Sequence, residues 1–338
     1  MSIRQSVLPG WPVGIPVADD TDVGRVQRLA ARVAHQQGFA PADAARVSRT
    51  ARELATRLVT HGRAGQILVR FTELGERRGV ELISTDSAEP ASESAPYHPA
   101  QVVADLYGTY SVPGKGTVTL ARLWGGPQTG PVDRRFAVGS MAEPFPGETV
   151  SGDAWAVEQH GSRVVTLVAY GLGPGEQAAV ASTAAVSAFT EHHREPVEVI
   201  ATHLHRALRL TRGAAIALAE VDSDAGRLRF CGMGNIAARL LVAGRAHELI
   251  SMYGIAGFQR QNYQTFTQAW PKDAMLVLHS DGLSAKWDVA NDPQLNLQHP
   301  QLVAATLMRD ATRARDDCLV VAIRGIDGAA SASPTGPD

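Results

Sequence analysis

The chain has 338 residues, of which 44% are hydrophobic and 20% charged, so it can bury a sizeable core and is long enough for two domains. A net charge of −2 gives no reason to expect nucleic acid or an anionic membrane as partner. No apolar run approaches the about 20 residues that span a bilayer, and residues 1–20 lack a basic-then-apolar signal pattern, so a cytoplasmic protein is expected. Cys231 and Cys318 sit within apolar runs and read as core thiols of a reducing compartment.

Residues 1–19, rich in Pro and Gly, read as irregular. Val26, Leu29, Ala30 and Val33 fall at helical spacing in a helix over Val23 to Gln37, ended by Gly38. A second helix opens at Pro41 and runs to about His61, with Ala51, Leu54 and Leu58 inward. Ile67 to Phe71 and Gly79 to Ser84 read as a hairpin. Residues 85–99 (TDSAEPASESAPYHP) are loop-like, Ala100 to Tyr107 a short helix, Thr117 to Trp124 a strand, and Gly125 to Gly130 a linker.

In the second half, Arg135 to Ser140, Asp153 to Glu158 and Val164 to Ala169 read as strands, followed by helices Glu176 to Thr190 and Pro196 to Arg209. A meander over 214–241, a strand Met275 to His279, a helix Gln301 to Arg313 and a strand Cys318 to Ile323 complete it. Residues 327–338 (DGAASASPTGPD) read as a disordered tail. The histidines at 192, 193, 203 and 205 read as solvated helix faces rather than a zinc site. Arg245, Arg260 and Lys286 are cations that a phosphoryl group could meet, but nothing in the sequence places them.

Acids fall at strand ends: Asp153 opens a strand, Asp281 closes one, and Asp316 and Asp317 precede another. One such acid is an ordinary turn residue. Several on one sheet edge form an oxygen-rich cluster suited to Mg2+ or Mn2+, and two such ions can activate water against a phosphate ester.

Two family resemblances follow. Ala51-Arg-Glu-Leu-Ala55, Thr85-Asp86 and Tyr110-Ser-Val-Pro-Gly-Lys-Gly-Thr117 make residues 20–127 similar to GHKL-type ATPase domains of anti-sigma and switch-protein kinases. That resemblance implies an α/β sandwich with Glu53 and Asp86 as the positions matching ATP-site residues. It also implies an Asn four residues after the Glu, where this chain has Arg57. A cation there repels a metal ion. The glycines expected after Asp86 are absent, so ATP binding and kinase activity are not expected, and the half reads as a degenerate docking module.

Residues 131–325 resemble PPM-type protein Ser/Thr phosphatases of the sporulation stage II E and stress-regulator branch. The carriers are Gly147-Glu148, Ser151-Gly152-Asp153-Ala-Trp155, Gly171-Leu-Gly-Pro-Gly175, Gly234-Asn235-Ile236, Gly254-Ile-Ala-Gly257, Ser280-Asp281-Gly282 and Arg315-Asp316-Asp317. The resemblance implies an α-β-β-α sandwich, so the fold class is α/β and α+β. It implies Asp153, the Gly171 carbonyl, Asp281 and Asp317 as Mn2+ or Mg2+ ligands, and a phosphorylated anti-sigma-factor antagonist or other switch protein as partner. The family's turn reads Asp-Gly-Leu-Gly-His-Gly, whereas here Tyr170 stands at the metal-bridging Asp. A phenol with an ordinary pKa near 10 does not replace that carboxylate. The expectation is therefore a bacterial partner-switching regulator with weakened or absent metal binding and weak or lost turnover. An active one-metal phosphoserine phosphatase and a non-catalytic scaffold are the alternatives.

Overall fold

The computed structural model describes residues 3–7, 14–60, 65–87, 103–112, 114–126, 134–148, 150–258, 263–287, 292–313 and 315–326. The first half comprises β1 (Ile3–Val7), β2 (Ile15–Val17), α1 (Asp20–Gln36), α2 (Pro41–Thr60), β3 (Gly65–Leu74), β4 (Arg77–Asp86), β5 (Leu106–Val112) and β6 (Gly116–Trp124). The second half begins with β7 (Phe136–Glu143), β8 (Asp153–His160), β9 (Arg163–Gly171), α3 (Glu176–His192) and α4 (Val197–Leu208). It continues with β10 (Ala214–Asp222), β11 (Arg227–Met233), β12 (Ala237–Val242), β13 (Arg245–Leu249), β14 (Ser251–Met252), β15 (Phe266–Ala269) and β16 (Met275–His279). A 3-10 turn (Leu295–Leu297), α5 (Pro300–Ala311) and β17 (Cys318–Gly325) close it.

Local signals account for the helix ends. Asp19 caps α1, its carboxylate accepting from the Thr21 and Asp22 N–H groups. Proline occupies the first turn of α5, where its missing N–H costs nothing. One apolar stripe of α1 and α2 (Val26, Ala30, Val47, Leu54) packs on Ile67, Val69, Leu82 and Leu123 of the first sheet, ordered β2-β3-β4-β6-β5. Each large aliphatic side chain buried in this way contributes about 1.5–3 kcal/mol.

The opposite face of that sheet is not left to water. Leu68, Ile83, Val118 and Leu120 pack with Leu302, Val303 and Leu307 of α5, which in turn covers Met275, Val277 and Val320 of the sheet β13-β12-β16-β17-β7. α5 is thus buried between the two halves. Its start lies so close to β7 that a Cβ on Gly139 would sit 2.1 Å from the Gln301 nitrogen. Beyond this sheet, a core around Trp155, Val168, Phe230 and Leu278 joins it to a second sheet, β1-β8-β9-β10-β11-β14 with β15 on β11. α3 and α4 cover the outer face of that second sheet with Phe189, Ile200 and Leu204. The second half is therefore the expected α-β-β-α stack.

Three expectations change. Residues 1–19 are not all irregular: Ile3–Val7 pairs antiparallel with β8 and Ile15–Val17 with β3, because each completes the open edge of a sheet. The start of the chain therefore belongs to the second half's sheet. Of the helix expected over Ala100 to Tyr107, residues 100–102 lie outside the described residues and Val103 is helical, but Leu106 and Tyr107 belong to β5, which pairs with β6 from Leu106↔Arg122 to Val112↔Gly116. The linker expected at Gly125 to Gly130 and the tail at 327–338 lie wholly or largely outside the described residues. Cys231 and Cys318 are both buried free thiols, as expected. Among the described residues no helix is long and apolar enough to cross a membrane.

Candidate active site

The acids converge at one end of the space between the two sheets of the second half. Asp153 opens β8 directly opposite Tyr170 on β9, so both side chains leave the sheet on the same, inter-sheet face. From the facing sheet, β16 ends at His279 and β17 begins at Cys318, which places Asp281 and the pair Asp316–Asp317 on the same edge. The Asp281 turn is pinned by the Ser280 N–H donating to the Leu319 carbonyl at 3.0 Å and by Asn235 Nδ2 donating to Asp281 Oδ2 at 2.7 Å.

Asp153 is fully buried, and neither of its carboxylate oxygens has a hydrogen bond. The Ser280 hydroxyl beside it is committed to the Asp317 carbonyl and the Leu319 N–H. Burial, and then the charges of Asp317, Asp281 and Asp316, push the Asp153 carboxyl well above the usual range. Asp281 Oδ1 is also unpartnered, and burial followed by the Asp316 charge raises its pKa. Buried carboxylate oxygens without donors are costly, and a hard cation is the usual remedy.

Tyr170 changes what the cluster can hold. Its hydroxyl faces Asp316 at 3.4 Å and 3.5 Å from the two carboxylate oxygens, a long contact at the limit of hydrogen bonding. Burial and the charges of Asp281, Asp316 and Asp153 raise its pKa, so it stays a neutral phenol. Among the described residues no three His, Cys, Asp or Glu side chains form a group able to hold a metal ion. A neutral phenol rather than a carboxylate thus stands opposite Asp153, and the negative charge of this edge comes from Asp153, Asp281 and Asp316.

Asp317 and Gly171 are builders of the site. Asp317 is fully buried, with Oδ1 accepting from the Phe145 N–H and Oδ2 from the Gly152 N–H, both at 2.8 Å. It stitches the start of β17 to the corner that presents Asp153. The neighbouring Asp316 is the acid that reaches Tyr170, where the resemblance singles out Asp317. Asn235, a resemblance residue to which the sequence assigns no contact, holds Asp281. Gly171 accommodates α3, since a Cβ there would lie 2.1 Å from the Ala178 carbonyl oxygen. Gly173 and Gly175, with φ of 83° and 75°, make the turn that only glycine adopts easily. Asp317→Asn is expected to lower unfolding stability by about 2 kcal/mol, because one backbone N–H would face an amide NH2. Asp316→Asn should change it little, which paired urea titrations would check.

In the first half, the Asp86 carboxylate accepts from the Thr117 N–H at 3.0 Å and so clasps the end of β4 to β6. Glu53 Oε2 is buried without a partner, and burial raises its pKa against the opposing influence of Arg49. Arg57 contacts the Tyr107 phenol.

Residues 160–325 match the family model described as Stage II sporulation protein E (SpoIIE). The chain is 26% identical over 141 residues to the phosphoserine phosphatase RsbX of Bacillus subtilis (strain 168), covering 41% of this chain and 70% of that relative. Among solved structures, a chain described under "The bacterial stressosome: a modular system that has been adapted to control secondary messenger signaling" is 25% identical with a TM-score of 0.52. That match covers 56% of this chain and all of the other. RsbX in complex with magnesium matches with a TM-score of 0.50 and 20% identity, over 57% of this chain and 96% of that one. Residues 160–325 are therefore similar to a phosphatase domain of the SpoIIE type.

Proposed function

We propose that this chain is a partner-switching regulator that binds a phosphoserine- or phosphothreonine-bearing protein and hydrolyses it weakly or not at all. The class of partner, an anti-sigma-factor antagonist or another switch protein, is the one the family resemblance implies. The observation that carries the loss of turnover is Tyr170, a neutral phenol opposite Asp153 and against Asp316. Protein binding is supported by the rim of the site. Leu210, Tyr253 and Phe258 are largely exposed apolar side chains on the α4–β10 turn and the loop after β14. Those segments are tied to the Gly171–Gly175 turn through the Leu172 N–H to the Gly213 carbonyl and the Ala256 N–H to the Ala214 carbonyl. Exposed apolar side chains beside a cleft are suited to docking.

Residues 20–127 complete the proposal as a GHKL-type fold used for docking. Asp86 is occupied by Thr117, and Arg57 lies where that fold would place a magnesium-ligating Asn. A second reading rests on the three unpartnered oxygens of Asp153 and Asp281, which could hold a single cation. Hydrolysis of para-nitrophenyl phosphate by the wild-type chain with Mn2+ decides between the two. The expected rate equals that of Asp281→Ala. A wild-type rate that disappears in Asp281→Ala would establish the one-cation phosphatase instead.

A further inference from the structure

We propose that the cleft between the two halves binds a small phosphate ester carrying a planar ring, of mononucleotide size. The cleft encloses about 900 Å3. Ligand sites favour such seams between domains, and this volume suits a compact organic molecule. Its walls come from the β5–β6 hairpin, the segment that follows Asp281, and the last turns of α5.

The charges around it are unevenly committed. Asp310 is gripped by Arg309 at 2.6 Å and 3.1 Å, and Asp292 accepts the Tyr110 phenol. Lys115 approaches Asp310 only at 3.6 Å and keeps 59% of its side chain exposed. Lys286 is exposed and has no ion-pair partner among the described residues. The acids are therefore occupied, while one lysine from each half remains able to receive an oxyanion. Thr306 forms part of the α5 wall and is 2% exposed, with its hydroxyl buried behind that wall. Trp287, held by the Arg239 guanidinium at 4.6 Å, joins Val112, Leu295 and Leu307 as the apolar wall for a ring.

Lys115 belongs to the Tyr110–Thr117 stretch, for which the phosphatase site has no use. Lys286 lies on the segment leaving Asp281. A ligand bridging the two lysines ties the first half to the acid cluster. The site is separate from the phosphoprotein reading and stands or falls independently of it.

The test is calorimetric titration of the full chain with AMP, GMP, CMP and UMP, with adenosine and inorganic phosphate as separate arms. At least one mononucleotide is expected to bind saturably, with adenosine and phosphate weaker. Lys115→Ala and Lys286→Ala should each weaken binding about tenfold, the worth of a charge-assisted hydrogen bond. Both lysines are exposed, so the variants should fold, and unchanged thermal unfolding would verify this. Nucleotide should also change the tryptophan fluorescence of the wild-type chain, and Trp287→Phe should remove that change. The proposal is overturned by no saturable binding of any of the four, by phosphate binding as tightly as the nucleotide, or by indifference to Lys286→Ala. Loss of binding in Asp86→Asn with none in Lys286→Ala would place the nucleotide in the first half and overturn it equally.

Discussion

Tyr170→Asp is expected to hydrolyse para-nitrophenyl phosphate with Mn2+ about a thousandfold faster than the wild-type chain, a difference of about 4 kcal/mol in the barrier. The reason is local charge. Asp153 and Tyr170 are direct cross-strand partners, and the facing edge contributes Asp281 and Asp316. A carboxylate at 170 replaces a neutral donor by an anionic acceptor and frees the volume that the ring occupies. Without metal the change adds a charge to a group of acids whose burial already raises Asp153 and Asp281. The variant should therefore unfold at lower temperature than wild type in chelator, and gain more than wild type on Mn2+ addition, since a ligand that binds only the folded state stabilises it. This shift reads the donor set without reference to turnover. Tyr170→Phe removes only the long contact to Asp316 and should leave the chain inactive. Tyr170→Asp combined with Asp281→Ala should lose the gain. A wild-type rate matching Tyr170→Asp would sink the proposal that Tyr170 suppresses turnover.

The layers of the second half were legible because its strands are short, apolar and bounded by glycine turns. Val164 to Ala169 is buried on both faces and reads as an apolar run interrupted only by Thr166. Tyr170 was legible for the same reason, as a lone polar residue between that run and a glycine turn. What sequence order could not supply was side-chain direction. Asp316 and Asp317 are adjacent, and motif order favoured the second. Strand parity puts Asp317 on the face of Leu319 and Val321, where the Phe145 and Gly152 N–H groups claim both its oxygens. Ile3–Val7 was hidden because its partner strand begins some 150 residues later, and local composition carries no trace of that pairing. The division into independent halves misled most about α5, whose apolar stretch serves cores on both sides.

A buried polar network also links those halves, and a single change can break it. Glu81 is fully buried on β4, with Oε1 accepting from Arg70 Nε at 2.9 Å and Nη2 at 2.6 Å. Its Oε2 accepts from Arg122 Nε at 2.8 Å and from the second Arg122 nitrogen. Arg70 continues across the seam to the Ser140 carbonyl at 3.0 Å and to Gln301 Oε1 at 2.7 Å. Gln301 in turn both donates to and accepts from the Ser140 backbone. Glu81→Ala leaves two largely buried guanidiniums without their counter-charge, and should cost about 3–5 kcal/mol. Glu81→Gln should cost less because its oxygen still accepts. Burial alone would raise the Glu81 pKa, but the Arg122 and Arg70 charges outweigh it and hold the carboxyl at about 2, against 4.5 ordinarily. A depressed pKa means that the unfolded chain takes up the proton first, so this stabilisation is complete above pH 4.5 and is lost as pH falls towards 2. The gap in unfolding free energy between wild type and Glu81→Ala should therefore be constant near neutrality and narrow through that acid window. Urea titrations across the window would measure it. A gap that keeps its full size down to the lower limit would show that the Glu81 charge does not carry the effect. Because the same network bolts α5 and β7 to the first sheet, Glu81→Ala should also split one unfolding transition into two, the first half melting before the second.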